Sequence, residues 1–369
     1  MAWDVNDSRN DLVRLKQLFN KEKDIEKKNE LNTYIYVLEE TIAYYSFTNK
    51  ARVVGQSNFN RTLFSLPKYR MYLPHIKEFI SILDNYKIDV GEEHKISKDD
   101  YTEKDMYNLT TGFYKQIGGK TFEKYQEIDY EKAGRINFTN ESSDFSRTYV
   151  IPVLDKFYIN LGAKSDERDI IEAYIHEIGH IITFKQNNKR YHSRDMFVEI
   201  ESLFYEILGD DYLSTKTGDI YFKDLEKERV DSYYNKGNII DIMNIAYNTV
   251  MDNSLHLKKP DKAFNTLCRA EGLVKPGKVD IDTTMKYLFS FICAVELVEI
   301  YKEDKEKALY LLNNIISENK NIEEYEKIIK NVNPCEHLEG YVKSLKKEKW
   351  QLRFSFTFMN VKLMKIYIF

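Results

Sequence analysis

Two histidines stand four residues apart, with a glutamate directly after the first, in His176-Glu177-Ile178-Gly179-His180. On a helix, about 100° per residue brings both imidazoles to one side, one turn apart. That spacing suits two ligands on one tetrahedral zinc ion. Glu177 is displaced around the helix from His176. It can reach a water in the open coordination position without binding the metal itself. Zinc lowers the pKa of such a water, and Glu177 can accept its proton. The chemistry implied is metal-assisted hydrolysis with one zinc ion per chain. The competing reading is a hydrogen-bonded pair of core histidines.

A third protein ligand is needed. His192, Asp195, Glu199, Glu201 and Glu206 follow the motif. Met196, Phe197, Ile200, Leu203, Phe204, Ile207 and Leu208 form an apolar stripe at helical spacing. Glu199 and Glu206 sit together at one edge of it, and Glu199 is the favoured ligand. Glu206 is then placed to orient a ligating histidine. Glu201 falls nearly opposite Glu199 and is expected to face water. His192 reads as a loop histidine.

The elements that must position these residues can be read from the pattern. Ser165 can cap the motif helix, with Asp166 and Glu167 in its first turn, and the helix runs to about Lys185. Its other side is apolar at Ile171, Tyr174, Ile175, Ile178, Ile181 and Ile182, so it is expected to be buried. Ser193 can cap the next helix, expected to end before Gly209. Upstream, Arg135 to Asn140, Thr148 to Ile151 and Lys156 to Asn160 alternate as short strands. Helices are expected over Leu31 to Phe47, from Pro74 through Leu83, and from Thr102 to the Gly118-Gly119 stop. The fold class is mainly α, with a small β-sheet beside the zinc-binding helix. A helical N-terminal subregion covers 1–130, a catalytic region 131–350, and an atypical apolar tail 351–369.

The motif resembles the HE(L/F)GH form of the M3 family of zinc metallopeptidases, the thimet oligopeptidase and oligoendopeptidase F group. Phe197-Val198-Glu199-Ile200-Glu201-Ser202-Leu203-Phe204-Tyr205-Glu206 is similar to that family's E-x-x-S segment. The resemblance implies a helical zincin-type fold and makes Glu199 the third zinc ligand. Lys156-Phe157-Tyr158-Ile159-Asn160 is similar to the strand along the substrate cleft, which implies pairing with a substrate backbone. Tyr287-Leu288-Phe289-Ser290-Phe291 resembles a tyrosine-rich stretch whose tyrosines hydrogen-bond the tetrahedral intermediate, which makes Tyr287 a candidate oxyanion donor. The implied reaction is hydrolysis of internal bonds in short or unstructured peptides, with Glu177 as general base.

Two other readings share these residues. Eighteen residues separate His180 from Glu199, the spacing of gluzincin aminopeptidases. The glycine expected after the Tyr287 stretch is missing, which suits a degenerate, non-catalytic peptide-binding relative. The whole chain bounds the choice further. Of 369 residues, 43% are hydrophobic and 31% charged, and the net charge of −4 leaves no basic stripe for nucleic acid. Mean hydropathy is −0.54 and no run is long enough for a membrane span. The N-terminal residues lack a signal-peptide pattern, so the expected location is the cytoplasm. Three cysteines, widely spaced and outside CxxC pairs, read as buried reduced thiols.

Overall fold

The structure, a computed structural model, describes residues 5–25, 69–85, 101–131, 136–139, 146–154, 156–162, 167–186, 198–252, 281–316 and 335–345, with short pieces between 27 and 39. Ser165, His192, Ser193, Asp195 and the tail 351–369 lie outside them. The chain divides into two compact units, one built mainly from 1–56 and 95–218, the other mainly from 57–94 and 219–315.

The first unit holds helix α1 (Val5–Lys21). The second contributes α2 (Leu73–Asn85), with Ile76, Phe79 and Leu83 buried along one face as their spacing predicts. Back in the first unit, α3 (Glu103–Ile117) is started by Thr102 and Asp105, which bond each other's backbone in a reciprocal cap. It ends at Gly118, whose φ of 69° is available to glycine at no steric cost. Helix α4 (Gly119–Glu131) follows at once.

Three strands follow: β1 (Ile136–Thr139), β2 (Arg147–Ile151) and β3 (Lys156–Gly162). The sheet order is β1-β3-β2. Strand β1 runs parallel to β3, and β2 antiparallel to it. Strand β3 is therefore central, with Ile159 and Asn160 paired on both sides. Its Tyr158 hydroxyl donates to Asp11 of α1 (2.5 Å), and Lys156 also binds that carboxylate (2.6 Å). Leu15, Leu31, Ile35, Leu38, Ile151, Leu154 and Tyr158 bury together there. The expected pairing of β3 with a substrate is narrowed by this placement: Ile159 and Asn160 are already paired on both edges, Lys156 to Tyr158 pair with β2 alone, and Tyr158 is 3% exposed.

Helix α5 (Glu167–Gln186) carries the histidine motif, and α6 (Ile200–Thr217) packs along it. The expectation that α6 ends before Gly209 is corrected. It continues to Thr217 and stops at Gly218, in the left-handed conformation at φ 74°. Gly209 has a packing role instead, since a Cβ there would meet Ile175 Cδ1 at 3.0 Å. The second unit continues with α7 (Tyr221–Asp252), α8 (Ile281–Glu303) and α9 (Lys305–Ile316). Its core stacks Tyr233 on Phe291 at 4.2 Å and sets Phe79 edge-on to Phe291. No helix among the described residues is long and apolar enough to cross a membrane.

Candidate metal centre

Helix α5 is sunk in the first unit: Ile171, Tyr174, Ile175, Ile178, Ile181 and Ile182 are all buried. Both β2 and β3 pack on it, as do α3, α4 and α6. Gly179, inside the motif, sets the distance to α6. A Cβ there would lie 2.9 Å from the Ser202 Cα, closer than real Cβ atoms come. The two helices approach this closely because glycine leaves the space, and the approach delivers the start of α6 to the histidines.

Glu199 stands at that start, at the N-cap of α6. Its Oε2 lies 3.2 Å from His180 Nε2 and 3.4 Å from His176 Nε2. The two imidazoles are held nearly perpendicular, 5.0 Å apart between centroids. The Ser202 hydroxyl donates to the Glu199 carbonyl (3.1 Å), which fixes the cap. On its other nitrogen, His176 Nδ1 meets Glu206 Oε2 at 2.5 Å. That bond turns the ring so that Nε2 faces Glu199.

The donor atoms of His176, His180 and Glu199 all lie within 4.8 Å of one another. Ligand atoms on a tetrahedral zinc are about 3.5 Å apart, from bond lengths of about 2.0–2.2 Å. The separations of 3.2 and 3.4 Å already match that edge, so the residues present fit the ion. The donor chemistry also fits, since two imidazoles with one carboxylate are a zinc set with a fourth position left over.

Electrostatics separate the acids. Burial raises the Glu199 pKa, but His180 and His176 outweigh it and hold the group well below the carboxylate range. Burial lowers that of His176, and the carboxylates of Glu206 and Glu199 reverse this, leaving it well above normal. Burial dominates at Glu177 and pushes its carboxyl up. Its Oε2 is buried with no hydrogen-bond partner among the described residues. A carboxylate with a raised pKa and a spare oxygen beside a cation site is suited to exchanging protons.

The sequence-predicted residues His176, Glu177, His180, Glu199 and Glu206 are thus brought together. Tyr287 lies on α8 of the second unit, half-buried, with the Lys286 ammonium 4.9 Å above its ring. The expectation that Glu201 faces water is corrected: it is 0% exposed. One contact was not anticipated. Thr148 of β2 donates to the Glu177 carbonyl (3.2 Å), tying the sheet to the motif. A threonine on a short strand carries no sequence signal for that.

No family model matches the chain, and no curated protein matches its sequence. Solved structures do match. A structure assigned to oligoendopeptidase F aligns over 88% of this chain and 65% of its own, at 13% identity and a TM-score of 0.51. The chain has that helical fold. PZ peptidase A with an inhibitor aligns at 14% identity and a TM-score of 0.48, over 86% of this chain and 66% of its own. An oligoendopeptidase F from Bacillus anthracis str. Ames aligns at 12% and 0.43, over 89% and 63%. This chain spans somewhat less than two thirds of the length of each.

Proposed function

We propose that this chain is a zinc-dependent peptidase that hydrolyses internal bonds of short or unstructured peptides. The carrying observation is the single Glu199 oxygen facing both imidazole nitrogens at 3.2 and 3.4 Å. The shared fold with an oligoendopeptidase F supports the peptide as substrate. His176, His180 and Glu199 would hold the ion. A zinc ion there would polarise a peptide carbonyl and acidify a water.

The chain's own groups do the remaining work. Glu177 takes a proton from the attacking water and delivers it to the departing amine. Burial raises the pKa of its carboxyl against the opposing pull of the two histidines, which makes it a better proton acceptor. Glu206 holds the His176 ring, so that the nitrogen used for ligation cannot rotate away. Strand β2 takes over the substrate-pairing role first expected of β3. One of its edges is unpaired among the described residues, and Thr148 places it beside Glu177.

The test measures zinc content and cleavage of a quenched peptide, in wild type and Glu177→Gln side by side. One equivalent of zinc at the His176 site in both proteins is expected, with cleavage reduced about 10²–10⁴-fold in the variant. Equal turnover in the two would remove Glu177 from the mechanism. Zinc in both without cleavage by either, over a panel of peptides, would favour a non-catalytic binding relative.

A further inference from the structure

The second unit contains another group of ligand-type side chains, distant in sequence from the histidine motif. His75 and Glu78 lie three positions apart on α2, so they project from one side of the helix, one turn apart. Cys335, 260 positions beyond His75, comes to the same place, and its thiol donates to the His75 carbonyl (3.5 Å). The imidazole nitrogen, the carboxylate oxygen and the sulfur all lie within 4.8 Å of one another.

We propose that His75, Glu78 and Cys335 form a second site for a divalent cation of the zinc type. The trio would contract by at most roughly 1 Å to reach the ligand spacing of a tetrahedral ion. Glu78 is exposed and can move by rotating its side chain. The sulfur selects the ion, because a thiolate with an imidazole favours zinc-like cations over calcium or magnesium. Charge balances as well. A thiolate, a carboxylate and a neutral imidazole bring a divalent ion to zero net charge. Binding releases the Cys335 proton to solvent as the metal–sulfur bond forms.

The other two ligands are held more firmly than surface groups. Cys335 is 4% exposed. Two residues on, His337 is clamped by Glu296, itself 1% exposed, which accepts from the His337 backbone N–H (3.0 Å) and binds its ring nitrogen (2.6 Å). That clamp fixes the turn carrying the thiol. The His75 ring lies 6.2 Å from the Phe289 ring on α8. With Glu78 at the solvent side, a water can complete the coordination. The ion would join α2 to the segment around Cys335, the role of a structural staple.

Cobalt(II) gives a direct test, because only a thiolate ligand adds a sulfur-to-cobalt charge-transfer band in the near ultraviolet. The full-length chain is stripped of metal and reloaded with cobalt. The band is expected in wild type and is expected to survive in His176→Ala/His180→Ala. Cys335→Ser should abolish the band and remove one equivalent of cobalt. His75→Gln and Glu78→Gln, milder changes that spare the buried thiol, should each weaken the band-forming site tenfold or more with circular dichroism unchanged. Absence of the band from wild type, its persistence in Cys335→Ser, or full affinity in both milder variants would overturn the site. None of these outcomes depends on peptide cleavage, so the peptidase reading can fail without it.

Discussion

The two sides of the α5–α6 pair each bury a glutamate, and the pKa values of the two acids shift in opposite directions. On one side Glu199 meets His176 and His180, and their charge holds its pKa well below normal despite burial. On the other, Glu201 sits among tyrosines. Tyr114 stacks on Tyr125 at 4.8 Å and stands edge-on to Tyr205 at 5.4 Å, and its hydroxyl donates to the Ile175 carbonyl. Burial there pushes Glu201 well above the carboxylate range. Neither of its oxygens makes a hydrogen bond of ordinary length, although the Tyr205 hydroxyl is close enough to oppose the shift. Both residues are almost fully buried, so depth does not distinguish them. The partner does: two imidazoles pull the pKa of one acid down, while burial among phenols leaves that of the other raised.

Substituting the two acids in turn breaks the comparison most directly. Glu199→Ala should lose zinc outright at micromolar metal, because it removes one of only three protein donors. Glu201→Ala should retain it. Equilibrium dialysis on both variants decides the matter, and equal losses would mean that Glu201 helps hold the ion. A smaller effect is expected one turn along. Glu206→Ala frees the His176 ring and should weaken zinc about 10–100-fold without removing a donor. Affinity unchanged in that variant would show that packing alone orients the ring.

Gly179→Ala acts on both sides together. Its methyl would press on backbone at Ser202, which cannot swing aside as a side-chain tip would. Separating the helices should cost about 1–3 kcal/mol. It should also move Glu199 away from the histidines, so zinc affinity and thermal midpoint should fall in the same variant. A loss of stability with full zinc affinity would show that the ligand geometry does not depend on this contact.

How much of this was legible in the sequence follows from which interactions are local. His176, Glu177 and His180 could be read because their geometry is set within one turn of helix. Glu199 and Glu206 could be read from a seven-residue separation along an apolar stripe. Glu201 was misread because a helical wheel assumes one wet face, and α6 is buried on nearly every side. Gly209 was misread for a related reason. Glycine ends helices and also lets helices approach, and only the neighbour Ile175 shows which applies here. The strands were visible as alternation. Their order was not, because β3 becomes central only when β1 pairs along its second edge, a contact between segments about twenty residues apart.

The smallest expected effect sharpens the tyrosine side. Glu201→Met keeps the length of the side chain and removes both buried oxygens. A polar group taken from water without ordinary hydrogen bonds costs about 1–3 kcal/mol. An apolar replacement of similar volume should return part of that, so Glu201→Met is expected to raise the thermal midpoint of the full chain while leaving zinc affinity unchanged. A drop in the midpoint would mean that the carboxyl and the Tyr205 hydroxyl support each other, and that α6 is held by a polar contact on this side as well. Tyr205→Phe then separates the two accounts. If the contact matters, that variant destabilises the wild-type background and has little effect in Glu201→Met. If it does not, the phenol is held by contacts such as Thr121, 3.2 Å away, and the loss is the same in both backgrounds.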